Sequence, residues 1–369
     1  MKNRTLAFYL PQYHTFPEND AWWGRGFTEW TNVVKEKPRF SGHKQPQMPA
    51  DLGFYDLRVE DTRLKQAEMA RKHGVDGFVY YHYWFGGKRI MNEPFDLMRS
   101  NPREDFPFSL CWANETWTRA WDGQERNILI EQTYSESDDD KHIEFLLEAF
   151  ADDRYIKIDG KPLFSIYRIG SHPEPGRFID KLRARSAERS YGGVYLCGVK
   201  SSFSSEVNEK ILSLDLDAFI DFQPNSEDFP TSSGLKTNFY TWLKKILPNN
   251  LYQIIKTNAS ANKRIDYESF VDQKCLKDLD YFKRVYPCVF PSWDNSARRK
   301  TATIIQNSDV KNFGKWLRHA LTCVAKNPES EQIVFINAWN EWAEGCHLEP
   351  DVFDGHGYLE CVKEIVERS

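Results

Sequence analysis

Nine residues near the C-terminal end, Asn337-Ala338-Trp339-Asn340-Glu341-Trp342-Ala343-Glu344-Gly345, carry the densest chemistry in this sequence. Glu341 and Glu344 stand three apart. On a helical turn or tight loop both carboxylates face one side, with about 5–6 Å between Cβ atoms. Two carboxyl groups so placed are the minimum apparatus for working on a glycosidic bond. One protonates the leaving oxygen, and the other acts at the opposite face of the anomeric carbon. The indoles of Trp339 and Trp342 would lower the local dielectric and raise one carboxyl's affinity for its proton, as an acid at neutral pH requires. The same text also reads as a helix start with two solvated glutamates, because paired carboxylates mark a site only statistically.

The aromatic content supports the first reading. The chain has 12 Trp, 17 Tyr and 25 Phe, 15% of its residues. A core accounts for many of them. Ten of the tryptophans, however, sit in polar text: Trp22, Trp23, Trp30, Trp84, Trp112, Trp117, Trp121, Trp293, Trp339 and Trp342. A flat ring beside Asn, Asp, Glu or Arg offers a sugar both a stacking face and hydrogen bonds.

Positioning such residues requires a frame, and the chain alternates short apolar runs with longer amphipathic stretches. Eight runs read as strands buried on both faces: Thr5–Leu10, Gly77–Tyr83, Phe106–Trp112, Pro162–Tyr167, Gly193–Val199, Ala218–Phe222, Tyr286–Phe290 and Ile333–Ala338. Helical patterns fall at Asp61–Lys72, Asp138–Phe150, Arg177–Glu188, Tyr267–Arg284, Asp309–Ala325 and Tyr358–Glu367. Eight strands with crossover helices predict an α/β fold, a (β/α)8 TIM barrel forming a single domain over 1–369, with long insertions after strands 1 and 6 (residues 11–57 and 223–264). A doubly wound sheet would need a glycine-rich phosphate loop after an early strand, and Pro11-Gln12-Tyr13-His14 is not one.

In a barrel, the active site lies at the C-terminal strand ends. Polar and aromatic residues recur at those ends: Tyr9, Tyr13 and His14; His82 and Trp84; Trp112, Asn114, Glu115 and Trp121; Tyr167; Trp293, Asp294 and Arg298; and Asn340 with the two glutamates. All are candidate substrate-binding residues. Several have a plainer alternative. Glu115 could pair with Arg119, and His14 and His82 could be buried structural histidines. Asp294 and Arg298 could form a surface salt bridge worth under about 1 kcal/mol. Glu29 reads more readily as a solvated or turn-forming loop carboxylate.

Other functions find little support. Net charge is −5, with no Lys/Arg run to meet nucleic-acid phosphates. Mean hydropathy is −0.64, and no stretch approaches the roughly 18 apolar residues of a membrane helix. The apolar run Leu6–Leu10 ends at Pro11, too short for a signal sequence. Seven scattered cysteines without CxxC spacing suggest reduced thiols and a cytoplasmic setting. His347, Glu349, Asp351, Asp354 and His356 match no metal-ligand spacing and read as a solvated loop. The triplets Asp215-Leu216-Asp217 and Asp278-Leu279-Asp280 fall in ordinary helical or strand-entry text. No metal or cofactor is expected, and the partner is an oligosaccharide or polysaccharide.

Three longer stretches carry a resemblance: FYLPQYHTFPENDAWWGRGFTEWTNV, CWANETWTRAWDG and INAWNEWAEGCHLEPD. From Tyr9 to about Asp351 the chain resembles the WbsX-type family of surface-polysaccharide biosynthesis proteins, whose members are described as glycosyltransferases. That family is similar to glycoside hydrolase family 99, the (β/α)8 endo-α-mannosidases. The resemblance implies a retaining mechanism through a 1,2-anhydro sugar, with Glu341 deprotonating the sugar 2-hydroxyl and Glu344 as acid/base. The chain differs from family 99 at Ala343, where a His is usual, and at Cys346, where a hydroxyl residue is. Three functions follow: an enzyme cleaving or transferring α-mannose-like units of a cell-surface glycan, a glycosyltransferase using an activated donor in O-antigen or surface-polysaccharide biosynthesis, and a non-catalytic glycan-binding barrel. The missing phosphate loop counts against the second, and two intact glutamates count against the third.

Overall fold

A computed structural model of the chain describes residues 3–119, 124–200, 211, 213–229, 262–276 and 284–368. Eight parallel strands form the frame: β1 (Arg4–Tyr9), β2 (Gly77–Phe85), β3 (Phe108–Trp112), β4 (Lys161–Ile166), β5 (Tyr195–Lys200), β6 (Ala218–Asp221), β7 (Arg284–Val289) and β8 (Ile333–Ile336). Each pairs with its sequence neighbour, and β1 pairs with both β2 (Leu6 opposite Gly77) and β8 (Arg4 opposite Ile333). The sheet therefore closes, and the fold is a (β/α)8 barrel. Closure leaves no edge strand, so every frame strand is buried on both sides.

Nine helices of the described residues accompany the strands: α1 (Pro17–Trp23), α2 (Glu29–Lys35), α3 (Glu60–Lys72), α4 (Glu93–Ser100), α5 (Glu136–Phe150), α6 (Pro175–Ala187), α7 (Tyr267–Cys275), α8 (Val310–Val324) and α9 (Gly357–Glu367). Their starts follow local chemistry. Ser135, Asp266 and Asp309 each accept a hydrogen bond from the backbone N–H three residues on, capping α5, α7 and α8. The helix expected over Tyr267–Arg284 is helical to Cys275, and residues 277–283 lie outside the described set. No helix among the described residues is long and apolar enough to cross a membrane.

Strand parity decides what reaches the barrel's interior. Phe8 of β1 meets Tyr81 of β2, Phe222 after β6 and Phe335 of β8, at ring centroid distances of 5.5, 5.1 and 5.8 Å. Odd-numbered residues of β2 thus point inward. Even-numbered ones point at the helices: Tyr80 packs on Phe95 of α4, and His82 stacks on Phe145 of α5. The insertion after β1 carries α1 and α2, and α2 packs against the turn that follows β8. Of the second expected insertion, residues 230–261 lie outside the described set.

Candidate active site

The end of β8 is built as a tight hairpin. Asn340-Glu341 pairs antiparallel with Cys346-His347, and a 3-10 turn over Trp342–Glu344 joins them. Gly345 closes the turn at φ 56°, in the left-handed region. An added Cβ there would lie 3.1 Å from the Asp294 backbone nitrogen and 3.0 Å from Gln47 Nε2. This geometry turns Glu341 and Glu344 into one cleft. Three hydrogen bonds brace the turn from behind. Trp342 N–H donates to Tyr13 Oη (3.0 Å), Trp342 Nε1 donates to Glu349 Oε2 (2.7 Å), and Ser292 Oγ donates to the Gly345 carbonyl (2.6 Å).

Arg298 sits between the two carboxylates. Its Nη2 lies 2.7 Å from Glu341 Oε1 and its Nη1 lies 3.1 Å from Glu344 Oε1, while Nε donates to Glu29 Oε2 at 3.0 Å. The Glu29, Glu341 and Arg298 side chains are under a tenth exposed, and Glu344 is a quarter exposed. Burial raises the Glu341 carboxyl well above its ordinary value; the Arg298 charge opposes this, and Glu344 and Glu29 add to it. Burial raises Glu344 too, against Arg298 and Arg299. Arg298 is held well above its usual value by the three carboxylates, despite a burial that works against its charge.

The cleft has a volume of about 370 Å³. Tyr81, Tyr83, Trp23, Trp117 and Tyr167 give it aromatic walls, and Gln12, Asn19, Glu115, Thr116, Arg298, Arg299, Glu341 and Glu344 give it polar ones. Gln12 Nε2 is buried without a hydrogen-bond partner among the described residues. Glu115 pairs with Arg168 across the β3–β4 gap at 2.6 Å rather than with Arg119.

Of the substrate-binding residues expected from sequence, Glu115, Tyr167 and Arg298 line this cleft beside Glu341 and Glu344. Others stand behind it. His82, Trp84 and Trp112 point outward into the helix layer. His82 Nε2 meets His142 Nε2 at 3.0 Å, Trp84 Nε1 donates to Asp138, and the Trp112 ring packs 4.4 Å from His142. Burial pushes both histidines well below their usual value, so they stay neutral. Tyr9 Oη donates to Gln66 of α3. Asn340 clasps the Leu10 backbone through both amide atoms, tying β1 to β8, and Asn114 does the same to Arg168. Tyr13 lies under the Trp342–Glu344 turn, and buried His14 is pushed down to about 4 by desolvation. These residues shape the site without facing it. Trp121 lies outside the described residues.

Trp293 and Asp294 line a separate cleft of about 220 Å³ with Phe40, Lys44, Gln47 and Asp351. Burial works to raise the Asp294 carboxyl, yet bonds from His43 Nε2 (2.6 Å), Gln45 Nε2 (2.8 Å) and Ser296 N–H (2.9 Å) hold it below its ordinary value. Arg298 and Asp294 are therefore not a surface pair. The loop expected to be solvated is largely interior: His347, Glu349 and Asp351 are buried. His347 stacks on Trp342 at 3.7 Å and bonds Gln47, so this segment props the turn that carries Glu344. No cluster of His, Cys, Asp or Glu suited to a metal occurs among the described residues. In the sequence Gln12 and Tyr83 stand at the ends of the first and second strands without being taken as binding residues, Glu29 reads as a loop carboxylate, and Tyr81 and Trp117 are not marked as site residues; aromatic residues fill both parities of β2, so parity alone does not single out its tyrosines.

A barrel with paired acids at the end of its eighth strand is the frame this site defines. The profile of the family described as Glycosyltransferase WbsX matches residues 5–362, and the chain belongs to that family. Two curated relatives, both named uncharacterized protein WxcX and from Xanthomonas campestris pv. campestris (strains ATCC 33913 and B100), are 35% identical over 366 residues. The match covers 99% of this chain and 50% of theirs, so the chain spans about half the length of these relatives. Among solved structures, a GH99 endo-alpha-mannosidase from Bacteroides thetaiotaomicron is similar at a TM-score of 0.57 and 14% identity, covering 99% of this chain and 97% of that one. A protein described as glycoside hydrolase-like aligns at a TM-score of 0.59 and 14% identity, covering 99% and 94%. These likenesses extend the shared barrel fold.

Proposed function

We propose that this chain is a carbohydrate-active enzyme that cleaves or transfers α-mannose-like units of a cell-surface polysaccharide by a retaining mechanism. One observation carries the reading: Glu341 and Glu344 converge from one hairpin onto a single guanidinium in an aromatic-walled cleft. Tyr81, Tyr83 and Trp117 supply faces for a sugar ring, and Gln12 supplies an unused buried donor for a hydroxyl.

The two acids take different tasks. Glu341 is the more buried and abstracts the proton of the sugar 2-hydroxyl, so that the 2-oxygen attacks the anomeric carbon. An internal nucleophile has high effective molarity and needs no protein nucleophile. Glu344 reaches further into the open cleft and protonates the departing glycosidic oxygen. It then takes a proton from the water or sugar hydroxyl that opens the 1,2-anhydro ring, while Glu341 returns its proton to the 2-oxygen. Burial favours a proton on both acids, so the pair starts with one proton between them: the nearer Arg298 contact, 2.7 Å at Glu341 against 3.1 Å at Glu344, favours the ionised form on Glu341 and leaves the proton on Glu344, as the first step needs.

The test is turnover of α-linked mannose-type oligosaccharides by Glu341→Gln and Glu344→Gln. Each is expected to lose at least about a hundredfold in kcat, within the usual range for a positioned acid or base. Full activity in both would sink the assignment. A second reading, transfer from an activated donor, is favoured by the description the family carries. It predicts stabilisation of the protein by a nucleotide sugar in a thermal-shift titration, whereas the glycosidase reading predicts stabilisation by oligosaccharide alone.

A further inference from the structure

We propose that Glu29, which does not line the catalytic cleft, is a positioning residue that sets the proton occupancy of Glu341 and Glu344 through Arg298. The chemical meaning of this inference rests on the function proposed above; its test does not.

Glu29 opens α2, whose packing against the Trp342–Glu344 turn brings it to the back of the site. The residue is 1% exposed. Its Oε2 takes the Nε edge of Arg298, and the fork's two terminal nitrogens are left for Glu341 and Glu344. A guanidinium cannot shed its proton in a protein. Three ionised carboxylates around it would therefore leave an excess of two negative charges in a largely closed space. Uncompensated buried charge is expensive, and such a cluster takes up protons instead.

The other groups facing the cluster do not remove this excess. Tyr13 beneath the turn, Tyr83 in the cleft wall and the thiol of Cys346 are held neutral by burial. Asn32, one turn along α2, offers Glu29 only a long amide contact of 3.5 Å. Arg299 acts on Glu344 from the cleft rim. Among the described residues the cluster thus has one fully shared cation, one peripheral cation and three acids. Glu29 acts on the cleft pair in two ways with the same sign. It adds a like charge, and it engages the Nε edge of the cation that the two cleft acids share. Both favour a proton on the cleft glutamates, as the upward direction for Glu341 and Glu344 agrees.

The experiment is a pH titration of the full chain carrying carboxyl-labelled glutamate, followed by NMR, with Glu341→Gln and Glu344→Gln assigning the two resonances. In Glu29→Gln the midpoints of both resonances should fall by about one pH unit or more, and Glu29→Asp, which keeps the charge, should restore them. On an active substrate, the alkaline limb of kcat/KM should move to lower pH by a similar shift. Unmoved midpoints in a folded Glu29→Gln protein overturn the proposal. Should that variant not fold, the unsubstituted chain decides. At least one of the two glutamates must still titrate above the ordinary carboxylate range, and ordinary carboxylate midpoints for both overturn it. Shifted midpoints in a protein that turns over no glycan would uphold the role of Glu29 and count against the proposed function.

Discussion

The indole of Trp342 donates to Glu349 Oε2 at 2.7 Å, which binds the residue between the two cleft glutamates to a third, wholly buried acid. Tyr55 Oη and Gln66 Nε2 donate to the same carboxyl. Burial outweighs these three bonds and pushes Glu349 up to about 7. Its ordinary value is 4.5, so the folded chain holds this proton where the unfolded chain has released it. The stabilisation linked to Glu349 is full below about pH 4.5 and is lost as pH rises through about 7. Against Glu349→Gln, the unsubstituted protein should gain roughly 1.4 kcal/mol of relative stability per pH unit on acidification from 7 to 5. Denaturant melts of both proteins across that range give the slope, and parallel pH dependences would remove the claim.

Gly345 fixes where Glu344 points. Ala at this position must adopt a left-handed conformation that costs L-residues about 1–2 kcal/mol, and its Cβ would press on the backbone nitrogen of Asp294. Backbone cannot swing aside as a long side chain can. Gly345→Ala should lower stability by about 1–3 kcal/mol. It should also reduce kcat by more than it raises KM, because on the function proposed above the displaced group is the acid and not a wall of the cleft. A calorimetric melt with steady-state kinetics checks both.

The eight frame strands and most helices were legible because buried parallel strands read as continuous apolar runs. The same fact hid the orientation within them. In Gly77–Phe85, aromatic residues fill both parities, so nothing local says that Tyr81 and Tyr83 face the cleft while His82 and Trp84 face α5. Glu341 and Glu344 were legible because their relation is local. Glu29 lies 269 residues from Arg298, and a single loop carboxylate gives no hint of that partner. The run from His347 to Asp351 looked solvated because it is polar, yet its polar groups are satisfied inside by Gln47, Tyr55, Gln66 and Trp342.

Arg298 should be intolerant of replacement by either an apolar or a cationic residue. Arg298→Met leaves Glu29, Glu341 and Glu344 crowded without their shared cation, and breaking a buried pair typically costs about 3–5 kcal/mol. The loss should shrink at low pH, because protonated carboxyls no longer repel. Arg298→Lys keeps the charge and loses the planar fork that reaches three acids at once. It should recover part of the stability and little of kcat/KM. Thermal melts at pH 5 and pH 8 separate these effects; equal destabilisation by Met at both pH values would contradict the charge argument.

Gln12 offers a test in which stability and binding move in opposite directions. Its Nε2 is buried at the cleft wall with no partner among the described residues, so the empty protein carries the cost of a desolvated donor. Such a group typically costs about 1–3 kcal/mol. Gln12→Met keeps the side chain's length and removes the donor. The variant should melt at the same temperature as the unsubstituted chain or higher. A glycan hydroxyl that would have accepted from Nε2 is then left unpaired in the complex, and affinity should fall by about 5- to 150-fold. Calorimetric titration with an α-mannose-type oligosaccharide, beside a thermal melt of the free protein, reads both quantities. A lower melting temperature with unchanged affinity would mean that this amide serves the fold and not the sugar.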